Sequence, residues 1–270
     1  MRLPIASRCK AFGGRSFLPC YQLEERSLRN ASRSHFMAKM ASDAYNSGPV
    51  GPAVPSHSAP RPQRVTLAGR FVSLLPLQPE HAEQLFKHVG EEANAKLWTY
   101  MGDGPYLTRE AFSEAILSKS KSEDPLFFTV LSRPTNEPVG YATLMRIDTT
   151  HRVVEVGNVM FSPAMAGTPM STETHYLLMR YAFSLGYRRY EWKCDALNAP
   201  SVRAATRLGF SYEGTFRQHM IYKGRSRDTA WFSIVDSEWE KVKEAFEAWL
   251  DEKNFDAQGK QIKKLEDFRL

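Results

Sequence analysis

The chain has little of what staples a small secreted protein together. Its 270 residues include three cysteines, Cys9, Cys20 and Cys194, too few for a disulfide framework. No CxxC pair or Cys/His cluster has metal-ligand spacing, so no metal is expected. A reducing compartment follows, cytoplasm or mitochondrial matrix. Apolar runs stay far below the about 18 residues of a membrane helix, so membrane insertion is not expected. RNP, zinc-finger and basic-helix motifs are missing too, which leaves little basis for nucleic-acid binding.

What is present is a core's worth of apolar residues, 42% of the chain, with 5 Trp, 11 Tyr and 16 Phe, enough to exclude wholesale disorder. A formal net charge of +6 suggests a basic protein until its location is counted. Residues 1–62 hold nine Lys and Arg against three acids, and residues 63–270 hold 27 of each sign. The excess belongs to the N-terminal segment alone.

Residues 1–40 are rich in Arg and Ser with scattered apolar residues, the composition of a mitochondrial transit peptide. The alternative is an unstructured extension ahead of a later start at Met37 or Met40. Residues 41–63, rich in Pro, Gly and Ser, read as a linker. The folded domain is expected over 64–255, with 256–270 a charged C-terminal tail.

Within the domain, Arg64 to Leu77 reads as a strand, Pro79 to Val89 as an amphipathic helix, and Thr108 to Leu117 as a second. Leu126 to Leu131 and Val139 to Ile147 flank a turn-rich stretch and form a hairpin, followed by a strand from Val153 to Phe161. A helix then starts with Thr168 as cap and Pro169 in its first turn, Glu173 favouring the positive end, and stops at Gly186. Tyr190 to Ala196 is a strand, Asn198 opens a helix that Gly209 closes, two antiparallel strands surround Lys223 to Ser226, and Trp239 to Leu250 is the last helix. Mixed elements without a regular βαβ repeat give an α+β class on a mostly antiparallel sheet.

Five stretches occur in an informative order: Glu155-Val-Gly-Asn-Val-Met-Phe-Ser-Pro163, Gly167-Thr-Pro-Met-Ser-Thr-Glu173, Leu185-Gly-Tyr187, Asn198-Ala-Pro-Ser201 and Arg207-Leu-Gly-Phe-Ser-Tyr-Glu-Gly214. Together they resemble the GNAT superfamily of acyl-CoA N-acetyltransferases, in particular its RimJ/RimL-like branch, over roughly Leu67 to Leu250. The resemblance implies the GNAT fold, a splayed mixed sheet flanked by helices with acetyl-CoA in the opening. It places the pantetheine arm along Val153 to Phe161, with Met160 and Phe161 at the cofactor, and the pyrophosphate at Gly167, Thr168, Met170, Ser171 and Thr172. Asn198 and Ser201 would meet the cofactor arm. Pro169 departs from the family's turn by removing an N–H donor, and Ala205 stands where many members carry a Tyr acid, so Ser201 is the candidate acid.

Amide formation from a thioester needs a neutral amine, a donor for the carbonyl oxyanion and an acid for the leaving thiolate. Glu155 is the candidate base and His219 a second candidate, against readings as a solvated carboxylate and a structural histidine. The backbone N–H of Val156 or Gly157 would serve the oxyanion if the strand bulges there. Trp98, Tyr100 and Tyr106 are the candidate acceptor-binding residues. The acceptor is a primary amine, either a protein N-terminus or a small molecule. A catalytically silent acyl-CoA-binding module is the alternative. For the leader, residues 1–40 fused to a fluorescent reporter are expected to reach mitochondria; diffuse cytosolic signal would count against a transit peptide.

Overall fold

The computed structural model describes residues 48–269, so the leader, Cys9 and Cys20, and residues 41–47 of the linker lie outside the described residues. Residues 48–56 form no helix or strand. From His57 onward the chain folds as one unit. The fold begins earlier than the sequence suggests: Ala59 is buried, its N–H donates to the Thr149 carbonyl, and the Gln63 N–H donates to Tyr181 Oη.

The strands are β1 (Leu67–Ala68), β2 (Val72–Pro76), β3 (Leu126–Ser132), β4 (Pro138–Asp148), β5 (Val153–Phe161), β6 (Arg189–Asp195), β7 (Ser211–Tyr222) and β8 (Arg225–Val235). The helices are α1 (Ala82–Val89), α2 (Arg109–Lys121), α3 (Pro169–Ser184), α4 (Ala199–Leu208) and α5 (Asp236–Leu250). The eight strands form one sheet in the order β1-β2-β3-β4-β5-β6-β8-β7. Every neighbouring pair is antiparallel except β5 and β6, which run parallel. No helix among the described residues is long and apolar enough to cross a membrane.

Strand alternation divides the core into two layers. Val154, Val156, Tyr190 and Trp192 project to one face, where α3, α4 and α5 cover them in the larger cluster. Phe127, Tyr141 and Met160 project to the other, beneath α1 and α2. Between the two positions sits a bulge: Thr143 pairs with Gly157 but Tyr141 with Met160, and Asn158 takes a left-handed φ of 45°. The extra residue reverses which face each later side chain meets.

Parallel pairing of β5 with β6 covers only Val153 to Val156, opposite Arg189 to Trp192. Beyond Val156 the strands part. Five residues of β5, from Gly157 to Phe161, continue without β6, while β6 stays paired to β8 as far as Asp195.

Helix α3 lies beside this opening, and its anchor differs from the one expected. Thr168 occupies the cap position, yet its hydroxyl donates to the Met165 carbonyl and does not cap the helix. Glu173 does not act as a solvated first-turn charge. It is buried and accepts the N–H groups of Arg70, Phe71 and Val72 at 2.7, 2.6 and 2.8 Å. A side chain at Gly69 would collide with this carboxylate, so glycine is required there.

The C-terminal residues are not a tail. Asn254 is buried, donating to the Trp249 carbonyl and accepting from the Lys263 N–H, and Leu265 is fully buried. The Arg269 guanidinium donates to the carbonyls of Arg207 and Thr206, satisfying the end of α4. The segment is held at these anchors, while the charged stretch 256–264 between them stays exposed.

Glu173→Ala leaves three backbone N–H groups unpaired under α3. A loss of about 3 kcal/mol or more is expected, read as a lower urea midpoint, with Glu173→Gln recovering part of it.

Candidate active site

The donor side is built from α3, α4 and the open half of β5. On α3, Thr168, Ser171, Thr172 and His175 fall at i, i+3, i+4 and i+7 and share one face. Thr172 Oγ1 accepts from Arg207 across on α4, at 2.9 Å, fixing the two helices at the groove floor. An inner cleft is lined by Val159, Phe161, His175, Trp192, Asn198 and Ser201, and an outer hollow by Gly167, Thr168, Trp249, Phe255 and Lys260. Both include Ser171, Thr172 and Arg207, so the two are continuous.

The outer hollow suits an anion. Pro169 begins α3, and the N–H groups of Met170 and Ser171 lie in the first turn, where no intrahelical acceptor exists. Gly167 turns the chain into this position at φ 70°, a conformation that glycine adopts freely. Arg207 and Lys260 add positive charge on the facing walls.

Around the inner cleft, the Asn198 side chain accepts the Ser201 N–H at 3.3 Å, capping α4. Its amide NH2 is left for a ligand. The Trp192 indole N–H donates to Ser201 Oγ at 3.0 Å. That bond uses the hydroxyl as an acceptor, so the hydroxyl proton stays available to donate elsewhere. Cys194 is buried, and burial pushes its thiol pKa up, which fits a small core residue and not a nucleophile.

His175 is buried between Phe161 and Trp192, with ring centroids 5.5 and 4.9 Å away. Its Nδ1 has no hydrogen-bond partner. Burial, and secondarily the charge on Arg207, push its pKa down to about 3. The ring is therefore neutral at ordinary pH.

Glu155 lies on the opposite face of the sheet, just before the strands part. It is buried, and its Oε2 meets Lys193 Nζ at 2.9 Å and Arg146 Nη1 at 3.2 Å. Oε1 is turned toward Gly157. Desolvation raises the Glu155 pKa against the pull of Lys193 and Arg146. Lys193 also meets Glu191 at 2.7 Å and sits 3.8 Å from the centre of the Trp231 ring. Arg189 extends the network to Glu191 at 2.7 Å and Glu213 at 2.5 Å.

The chain is similar to a GCN5-related N-acetyltransferase from Brucella melitensis, at 45% identity and a TM-score of 0.77, over 79% of this chain and 97% of that one. The model of the acetyltransferase (GNAT) domain matches residues 72–211. The chain belongs to the GNAT acetyltransferases. Among curated relatives, the uncharacterized N-acetyltransferase p20 of Bacillus licheniformis is 29% identical over 113 residues. That match takes in 42% of this chain and 63% of the relative's length.

The fold brings Phe161, Gly167, Thr168, Ser171, Thr172, Asn198 and Ser201 around the continuous groove. Met170 contributes its N–H while its side chain packs on the core. The Asn158 bulge turns the Met160 side chain into the layer under α1 and α2, so any contact of Met160 with the groove is through its backbone. Trp98 is likewise a core residue, 1% exposed, its indole N–H donating to the Val89 carbonyl. Tyr106 packs edge-on against Trp98 and Phe112 and donates to Asp103, so it is spent on holding the loop. Tyr100 alone of the three reaches the site's rim, donating to the Leu197 carbonyl beside Asn198.

His219 is not brought to the cleft. It is exposed on β7, shares a hydrogen bond with Thr229 Oγ1 and lines a separate hollow with Phe216 and Asp228. The sequence reading missed His175, Trp192, Arg207 and the Phe255 to Gln261 wall. Helical spacing from Ser171 and Thr172 was the signal that pointed to His175.

Because the unfolded imidazole titrates near 6.5 and the folded one near 3, the unfolded chain binds an extra proton between those values. Stability should therefore fall as pH drops below 6.5. Urea unfolding at pH 7 and pH 5 should show wild type losing about 2 kcal/mol more than His175→Leu.

Proposed function

We propose that this protein transfers the acetyl group of acetyl-CoA to a primary amine by direct attack in a ternary complex. The observation that carries the reading is the opening between β5 and β6, with Ser201 at its inner end and an anion-binding helix terminus at its outer end. In this reading the diphosphate lies against Met170 and Ser171 N–H, and Arg207 and Lys260 offset its charge. The arm follows the edge of Gly157 to Phe161 that β6 leaves open, the other edge being paired with β4, and that open edge supplies the backbone hydrogen-bonding groups.

The amine approaches from the Glu155 face. Its nitrogen attacks the thioester carbon, and the oxyanion faces backbone N–H groups of the bulged strand near Gly157 and Asn158. Glu155, through its free Oε1 and a water, takes the proton that the amine loses, and the raised pKa of a desolvated carboxylate suits that task. The C–S bond then breaks, and Ser201 gives its hydroxyl proton to the thiolate while Trp192 holds Oγ in place; water returns a proton to Oγ, and Glu155 releases to solvent the proton it took from the amine. No metal enters this scheme, and none of the described residues form a cluster that could hold one.

For the acceptor we favour the α-amine of a polypeptide. Trp98 and Tyr106, which would wall a small-molecule pocket, are committed to packing, and Leu197 on the rim beside Asn198 is exposed. The RimJ/RimL-like motifs support the same choice. We place the reaction in the cytoplasm or the mitochondrial matrix, on the strength of the leader and the scarcity of cysteine.

Thiol release from acetyl-CoA across a panel of peptides and small amines tests this reading. Ser201→Ala should lower kcat about 10²-fold with little change in KM for acetyl-CoA. Trp192→Phe should lower it too, and the double variant should be less than additive. Acetyl-CoA binding without turnover of any amine would instead identify a silent acyl-CoA-binding module.

A further inference from the structure

His175 has no part in the chemistry above, yet it is the most unusual polar group in the groove. Its side chain is buried, it faces the inner cleft, and Nδ1 lacks any partner. A buried polar atom left unmade is costly, and native proteins seldom keep one without a use. The ring cannot turn away, since Phe161 packs on one side and Trp192 on the other. Burial, with the charge on Arg207 second, disfavours its protonation, so the imidazole holds one N–H and one lone pair at working pH.

The position of the ring selects the ligand group. His175 lies between the outer hollow, where the phosphates belong, and the inner end at Ser201. A pantetheine arm crossing that interval carries two secondary amides, each with one donor and one acceptor. We infer that His175 recognises the donor's arm by a hydrogen bond between its imidazole and one of these amides, as a positioning residue for the thioester. This inference rests on the acetyl-CoA reading. It adds a side-chain contact from α3 to the backbone contacts from β5, so that the arm is gripped from both sides of the opening.

Binding of two probes by calorimetry separates the possibilities: CoA, which has the arm, and adenosine 3′,5′-bisphosphate, which lacks it. His175→Leu should weaken CoA on the order of 10-fold or more and leave the nucleotide unchanged. His175→Asn, which keeps a donor and an acceptor near Nδ1, should recover part of the loss. In the absence of ligand the Leu variant should melt no lower than wild type, because it removes an unpartnered polar atom. In turnover, KM for acetyl-CoA should rise and kcat/KM should fall on the order of 10-fold or more. Unchanged CoA affinity in His175→Leu would overturn the inference, and so would equal weakening of both probes, which marks a collapsed groove. If wild type binds neither probe, the acetyl-CoA reading fails and takes this one with it; if wild type binds CoA but the variants do not differ, only the role of His175 fails.

Discussion

The site depends on one constraint: β5 and β6 are held together for four residues and then released. Parallel strands are usually paired along their shared length, because an unpaired backbone group in a buried place is expensive. Here the pairing stops at Val156, and the bulge at Asn158 bends β5 away while β8 keeps β6 straight. The result is a slot through the sheet with hydrogen-bonding groups on one wall. A ligand that is itself amide-rich and extended can restore the missing pairing, which is why the opening reads as a seat and not as a defect.

The two faces of the sheet handle charge in contrasting ways. Toward α3 and α4, the cleft has a neutral imidazole, an indole and a hydroxyl, with Arg207 where the two hollows join and Lys260 at the outer end. Toward α1 and α2, acids and bases alternate: Glu155, Lys193, Glu191, Arg189 and Glu213 are linked in sequence across β5, β6 and β7, and Ser233 of β8 bonds to both Arg189 and Glu213. Buried ion pairs contribute little net stability once desolvation is subtracted. They do penalise any slip in register, because each shift would strand a charge. The network therefore fixes β5, β6, β8 and β7 at the place where the strands must part correctly.

Much of this was legible in the sequence where local physics decides. The strand Val153 to Phe161, ending at Ser162-Pro163, was read at its observed limits, and Asn198, Ser201 and Gly209 marked the ends of α4 through capping preferences that act within a turn. Features set by distant residues were not legible. Glu173 looks like an ordinary first-turn acid, and its three partners lie about a hundred positions upstream. Trp98 and Tyr106 have the composition of a binding loop, and only the packing of Phe112 and Val89 against them shows that they belong to the core. The face that the Met160 side chain meets was not legible either, because a single extra residue reverses the alternation on which such assignments rest. The C-terminal segment was hidden by its own lysines, since Asn254 and Leu265 are too few to form a recognisable pattern.

The Glu173 anchor has a consequence for the order in which the molecule can assemble. Its carboxylate joins α3 to the turn at Arg70 to Val72 across 101 to 103 positions of sequence, and β2 in turn pairs with β3 more than fifty positions away. Contacts of such separation form late, after the entropy of closing the intervening loops has been met. Helix α3 can grow early from its own residues, but its placement against the sheet waits for the first half of the chain to be in register. Competence to hold the donor is thus acquired at the end of folding, and a partly folded chain would carry the helix without the site.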